Sequence, residues 1–255
     1  VSGPEDFKTV VLGPGGVLSG DETAPAIIVD LTTVSPEASE VVRSEAALRG
    51  TALLAAPVSG NPKVVKSGRL TLVVSGPAEA YETVAPLLAL LGSGVTYVGE
   101  GERARLAKIC HNLMLGIVSQ TLAEIVVLAE KGGVSRADFL EFLNNSVMGS
   151  TFTRYKTPAY VNLDFTPTFT PLLLRKDFDL GMEAARELDV PMPVAAATQQ
   201  VIQAMIGSGY RDMDFAALLE VQARASGLEL ASEDVAVGDG LEDADLPSQP
   251  ATSGA

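Results

Sequence analysis

Lys108 and Asn112 stand four residues apart in the stretch Gly99-Glu-Gly-Glu-Arg-Ala-Arg-Leu-Ala-Lys108-Ile-Cys-His-Asn112. That spacing places an amine and an amide on one helix face, one turn apart. The residues that follow are apolar on nearly every side, which predicts a partly buried amine. Burial lowers a lysine's pKa toward the range where it exchanges protons near neutral pH. On spacing alone the pair also reads as a first-turn lysine reaching to water beside an asparagine that packs.

Three further clusters carry polar groups at places where a ligand could meet them. Ala55-Ala-Pro-Val-Ser59-Gly60-Asn61-Pro62 directly follows an apolar run read as a strand. In a parallel sheet the loops after the carboxyl ends of strands line the ligand crevice. A serine hydroxyl with exposed backbone N–H groups at a glycine can grip a carboxylate, although Gly-Asn-Pro also forms ordinary turns. Asp30-Leu-Thr32-Thr33-Val-Ser35-Pro36 likewise follows a strand and opens a helix; its hydroxyls can meet a nucleotide, while Ser35 serves as the helix cap. Leu174-Arg-Lys176-Asp177-Phe-Asp179 puts an adjacent Lys-Asp pair early in a helix, able to hold a cofactor or to stand as a solvated surface pair.

The elements that must position these groups alternate over the first hundred residues. Short apolar runs at 26–30, 51–55, 70–74 and 95–98 read as strands, and 4–11, 37–48 and 77–91 as helices. Strand and helix at these intervals predict a parallel sheet with crossover helices. After Gly99 no strand signal appears. One long helix is expected over 102–131, with others at 136–144, 172–188, 194–207 and 215–226. The predicted fold class is therefore α/β: a partial Rossmann-type sheet domain over 1–100, then an all-α domain over 101–228. Residues 229–255 hold acids, Gly, Pro and Ser without a basic residue, and read as an acidic disordered tail.

A chain of 255 residues, 47% hydrophobic, can bury a substantial core. No uninterrupted apolar run reaches the ~18 residues of a membrane span. The single Cys110 rules out an internal disulfide framework and fits a reducing, cytoplasmic setting. A net charge of −14 argues against nucleic acid or an anionic membrane as partner. The all-round apolar character of 113–128 predicts a homodimer or a dimer of dimers through the helical half.

Taken in order, the four clusters resemble the β-hydroxyacid dehydrogenase family, which includes 3-hydroxyisobutyrate dehydrogenase and tartronate semialdehyde reductase. That family runs an Asp-x-Ser/Thr-Thr-x-x-Pro segment, an Ala-Pro-Val-Ser-Gly-Gly loop, a Gly-x-Gly-x-x-x-Lys-x-x-Asn-Asn helix and a Lys-Asp pair. The resemblance covers about residues 1–225 and implies an NAD- or NADP-dependent oxidoreductase acting on a small β-hydroxyacid or semialdehyde. Lys108 would be the general acid/base and Asn112 would hold the substrate. Ser59 and Gly60 would bind the substrate carboxylate, with Asn61 and His111 in the substrate pocket. Thr33, Lys176 and Asp177 would meet the cofactor, and no metal is implied.

Three residues depart from the family pattern: Asn61 for the second glycine of the loop, His111 for the first asparagine after the lysine, and Ala55 for an acid before Ala-Pro. They imply a substrate other than 3-hydroxyisobutyrate. A Cys110–His111 dyad is not expected, because neighbouring helical residues point ~100° apart. The phosphate-cradling Gly-x-Gly-x-x-Gly turn that opens such nucleotide domains is not found; Gly13-Pro-Gly-Gly16 is a different loop. The expectation is that this chain lacks the first strands of its nucleotide domain. Two other readings stay open: imine reduction on the same scaffold, disfavoured by a retained Lys108, and a non-catalytic interaction module or inactive fragment.

Overall fold

Four-residue apolar runs are long enough to span only the middle of a sheet, and they form its strands. The computed structural model describes Val1, residues 3–20 and residues 24–241. Helix α1 (Pro4–Leu12) precedes strand β1 (Ile27–Asp30), helix α2 (Pro36–Ala47) and strand β2 (Ala52–Ala55). Strand β3 (Val58–Ser59), helix α3 (Pro62–Lys66), strand β4 (Thr71–Val74), helix α4 (Ala78–Leu88) and strand β5 (Gly94–Tyr97) follow. Then come the long α5 (Arg103–Lys131), α6 (Arg136–Asn145), α7 (Thr151–Asn162), α8 (Pro171–Glu187) and α9 (Pro193–Gly207). A 3-10 turn (Phe215–Ala217) leads into α10 (Leu218–Ala225). The α/β class with a mainly helical second half is thus as the sequence indicates.

Strands β1 and β2 pair in parallel, from Ile27 opposite Ala52 to Asp30 opposite Ala55, and β4 pairs in parallel with β5. Strand β3 was not anticipated, and it runs antiparallel to β4. A mutual pair of backbone bonds between Ala55 and Ser75, 2.8 and 2.9 Å, joins the two sets of strands. Helix α3 was also unforeseen; five residues carry no periodicity to read. Helix α7 escaped notice because Pro158 lies inside it, although Ser150 opens it with a capping box.

Contacts divide the chain into two compact units, and α5 runs through both. The first takes in residues 1–60, 69–117 and 172–200; the second takes in 61–68, 118–171 and 201 onward. The amino-terminal half of α5 and most of α8 therefore belong with the sheet. In the first unit Asp30, at the end of β1, accepts from Thr32 N and Oγ1 and from Arg105 Nη2 at 2.7 Å. The wholly buried Arg105 also donates to Glu102 Oε2 and to the Thr32 carbonyl. Glu102 in turn meets Arg43, which donates to the carbonyls of Leu53 and Gly101. This charge network fixes the loop after β1 against the start of α5.

In the second unit Leu122, Val126, Leu140, Tyr160, Val161 and Leu219 form the core. Lys156 and Asp214 make a buried ion pair at 2.6 Å. Helix α5 is long and apolar enough to cross a bilayer by length and composition alone. The count of uninterrupted apolar residues passes over it because polar groups are spaced along it. Half of its most apolar window is buried, and Arg105, Lys108, Asn112, Ser119 and Gln120 are buried along it, which marks a core helix.

The expected disordered tail needs correction over 229–241; residues 242–255 lie outside the described residues. Glu233 caps α6, accepting from Arg136 N and Ala137 N at 2.7 and 2.9 Å. The buried Arg136 side chain donates to the carbonyls of Val161 and Ala231 and to Glu130. Leu230 and Val237 pack on the core. The acids that suggested a solvated tail include one that neutralises a helix N-terminus, which composition does not reveal. Removing residues 229–255 is expected to lower the unfolding free energy by at least about 2 kcal/mol, since a cap, a buried arginine's partner and apolar cover go together. An unchanged urea midpoint would show that the segment is free.

Candidate active site

The turn into α5 explains why glycines precede Lys108. Gly99 and Gly101 adopt φ of +99° and +69°, conformations that side chains disfavour. Ser75, at the end of β4, donates to the Gly101 carbonyl at 2.7 Å and accepts from Ala104 N at 3.0 Å. The first turn of α5 is thereby tied to the sheet, and Lys108 and Asn112 leave the next two turns on one face. Helix α8 comes close to that face because two glycines remove side chains between the helices. A Cβ at Gly181 would stand 2.6 Å from Leu113 Cδ1, and one at Gly116 would fall on the Phe178 ring.

This approach brings Asp177 to Asn112. The Asn112 Nδ2 donates to Asp177 Oδ2 at 2.6 Å, and both side chains are buried. With its nitrogen turned to the carboxylate, Asn112 presents Oδ1 to His111 Nδ1 at 2.9 Å. The imidazole then carries its proton on Nδ1, and Nε2 is left to accept from the Ser59 hydroxyl at 3.0 Å. On the other side of Asp177, Lys176 Nζ lies 3.3 Å from Oδ1 and donates to the Thr33 carbonyl at 2.9 Å. Although Lys176 approaches it, Oδ1 is buried without a hydrogen bond.

Ser59, His111, Asn112, Asp177, Lys176 and Thr33 thus form one continuous chain of contacts within the first unit. Lys108 stands beside it, 9% exposed. Burial brings its ammonium down from 10.5 to about 8; the Asp177 carboxylate opposes this and Lys176 adds to it. Burial and the Lys108 charge hold His111 below its ordinary value, with the Asn112 bond opposing. Both ring nitrogens face other partners, so Cys110, which is exposed, forms no dyad with His111.

Gly60 follows Ser59 with φ +146°, again a glycine conformation. Asn61 is not part of this chain of contacts. It belongs to the second unit, where its Oδ1 accepts from Lys63 N and Val64 N to cap α3. Three groups were missed by sequence reasoning. The role of Asp30 with Arg105 was signalled faintly by an acid closing an apolar strand. That of Gly116 and Gly181 could have been found as small residues facing one another on two apolar helices. The third, the Lys156–Asp214 pair, spans 58 residues and left no local signal.

Residues 1–99 match the family model described as the NAD-binding domain of 6-phosphogluconate dehydrogenase, and residues 102–222 the one described as NAD-binding of NADP-dependent 3-hydroxyisobutyrate dehydrogenase. The 2-(hydroxymethyl)glutarate dehydrogenase of Eubacterium barkeri is 32% identical over 88% of this chain and 74% of its own length. The chain belongs to the β-hydroxyacid dehydrogenase family. Another relative of this dehydrogenase, the 3-hydroxyisobutyrate dehydrogenase of Pseudomonas aeruginosa, is 28% identical over 84% of the chain and 74% of the relative. The cytokine-like nuclear factor N-PAC of Xenopus tropicalis is 31% identical over 86% of the chain but 41% of its own length. The solved 3-hydroxyisobutyrate dehydrogenase from Salmonella typhimurium shares the fold, with a TM-score of 0.78 at 21% identity over 87% of the chain and 77% of that structure. As a β-hydroxyacid dehydrogenase the protein is an NAD(P)-dependent oxidoreductase with a small-molecule substrate.

Reductive ¹³C-methylation of the lysines makes the Lys108 titration visible by NMR. Its midpoint is expected near pH 8. Asp177→Asn removes an attractive charge and should lower that midpoint, while Lys176→Gln removes a repulsive one and should raise it. Midpoints that stay together in all three proteins would refute the arrangement.

Proposed function

We propose that this dehydrogenase interconverts a small β-hydroxyacid and its carbonyl form, with Lys108 as the general acid/base. The observation that carries the reading is a buried lysine, poised near neutrality, beside a fixed amide and carboxylate. In the oxidative direction the neutral Lys108 amine takes the proton of the substrate hydroxyl; in the reductive direction its ammonium returns one to the carbonyl oxygen. Bound NAD(P) would supply the hydride acceptor or donor for the carbon that bears this oxygen. Asn112 spends one N–H on Asp177 and keeps the other for the substrate oxygen. Ser59 and the backbone at Gly60 hold the substrate carboxylate, and His111 shapes the pocket around its tail.

The residues present fit the nicotinamide end of the cofactor. The buried, unbonded Asp177 Oδ1 is an acceptor available to an amide or hydroxyl donor, and Lys176 and Thr33 lie beside it. No glycine turn of the pyrophosphate-cradling kind is part of this sequence, and the residues present fit the nicotinamide end alone.

Replacing Lys108 separates catalysis from folding. Lys108→Met is expected to cut kcat by roughly 10²–10⁴-fold while NADH or NADPH binding persists. In the parent protein oxidation should accelerate as pH rises through about 8, because the neutral amine is the active form, and reduction should slow over the same range. A depressed lysine pKa also means that the folded state tolerates the charge poorly below about 8, and that stability rises with pH between about 8 and 10.5. Lys108→Met should therefore raise the unfolding midpoint at pH 7. Unchanged turnover would overturn the assignment.

The likeness to N-PAC, which is named a nuclear factor and not a dehydrogenase, keeps open a second reading, a binding module without turnover. A buried amine with no catalytic task is costly to keep, which weighs against it. Retained Lys108 weighs equally against imine reduction. We further infer a cytoplasmic homodimer or dimer of dimers, without nucleic acid or membrane as partner. Leu128, Phe142, Val147 and Met148 are exposed apolar side chains of the second unit, from 69% to fully exposed. Sedimentation should report at least twice the chain mass, and a monomer independent of concentration would refute the assembly.

A further inference from the structure

Ser59 can serve a carboxylate only if its hydroxyl proton points at it. The geometry of the first unit directs that proton elsewhere. Asp177 fixes the Asn112 amide with Nδ2 inward, which leaves Oδ1 for His111 and requires the imidazole proton on Nδ1. A neutral imidazole of that tautomer has a lone pair on Nε2, 3.0 Å from Ser59 Oγ. The serine must then donate to histidine and turns only lone pairs outward. Lone pairs repel an anion.

We propose that His111 is a positioning residue that sets whether Ser59 gives or takes a hydrogen bond, so that seating a substrate carboxylate at Ser59 draws one proton onto the imidazole. The proton comes from solvent and binds Nε2. The new N–H donates to Ser59 Oγ, and the serine O–H rotates from the ring to the carboxylate. No covalent bond changes apart from the one N–H formed. The inference rests on the reading of Ser59 as the carboxylate site and deepens it. The family resemblance has asparagine at this position, and a side-chain amide cannot change charge in this way; the coupling is a property of this chain's histidine.

The groups that face the ring set its balance. On its own helix Lys108 disfavours the imidazolium and Asn112 Oδ1 favours it. From β3 comes the neutral Ser59 hydroxyl. From α8, Asp177 acts through Asn112, with Lys176 beside it. Desolvation disfavours the charged ring in the free protein. A carboxylate at Ser59 adds a negative charge near the ring and reverses that balance. Affinity for the anion then rises as pH falls, whereas the Lys108 step keeps its own transition near pH 8. Substrate capture and proton transfer thereby answer to different pH ranges.

His111 is the single histidine of the chain, so its NMR signals in a tag-free, ¹⁵N-histidine-labelled protein need no assignment. The free protein should show the Nδ1–H tautomer and a midpoint below 6.5. Saturation with 3-hydroxypropanoate as the probe should raise that midpoint by about one pH unit or more, and Ser59→Ala should abolish the rise. Between the free and the probe-bound midpoints the probe's Kd should rise with pH, approaching about tenfold per pH unit, the slope for uptake of one proton, and level off above the bound midpoint. In His111→Asn the Kd should lose its slope between those midpoints, while kcat keeps its transition near pH 8. An Nε2–H tautomer, or a probe that binds without moving the imidazole midpoint, would sink the role of His111 and leave the dehydrogenase reading standing. A protein that turns over uncharged alcohols but never binds the probe would sink the carboxylate reading of Ser59, and this inference with it.

Discussion

A buried carboxylate must be met by donors, and in this fold the demand of Asp177 organises what surrounds it. A single side chain, 1% exposed, dictates the orientation of an amide, and through that amide the tautomer of an imidazole. The same charge offsets part of the cost of burying Lys108. Were Asp177 neutral, the Asn112 amide could sit either way round, and the proton on His111 would lose its assigned nitrogen. Orientation of the whole chain of contacts thus descends from one charge placed where water cannot compete for it.

That placement depends on backbone geometry rather than on polar chemistry. Gly116 and Gly181 let α5 and α8 approach until a short asparagine can reach a short aspartate. The charge network of Asp30, Arg105, Glu102 and Arg43 performs the matching task at the sheet, holding the Thr32–Thr33 carbonyls where Lys176 can use one of them. Ion pairs this deep contribute less to stability than their charges suggest, because each ion was taken from water. Their contribution is to leave the loop after β1 a single arrangement.

Much of this was legible in the sequence, for identifiable reasons. Strands and long helices announced themselves by apolar runs and by caps such as Ser35, which accepts the expected backbone bond. Lys108 and Asn112 could be placed on one face because a spacing of four fixes direction in a helix. Pairings between distant segments could not be read. Nothing near Asn112 points to Asp177, 65 residues on, and His111 could be named for the pocket without its bond to Ser59 being foreseen. Composition misled where a few residues departed from their neighbours' average: Glu233 and Leu230 anchor a stretch that looks solvated. Unit boundaries were also hidden, because α5 runs through both units without a break in its pattern.

The two-residue strand β3 has an evolutionary consequence. The groups that move a proton ride on helices locked by close packing, where most substitutions would be lethal to the arrangement. Those that would touch the rest of a substrate sit on a short connection leaving the sheet, at Ser59 and Gly60, outside the packed helices. One hydrogen bond, from Ser59 to His111, ties the conservative part to the variable part. Lineages built on this plan can therefore drift in what they accept without relearning how to react, and residue 111 is where the two kinds of change must be negotiated together.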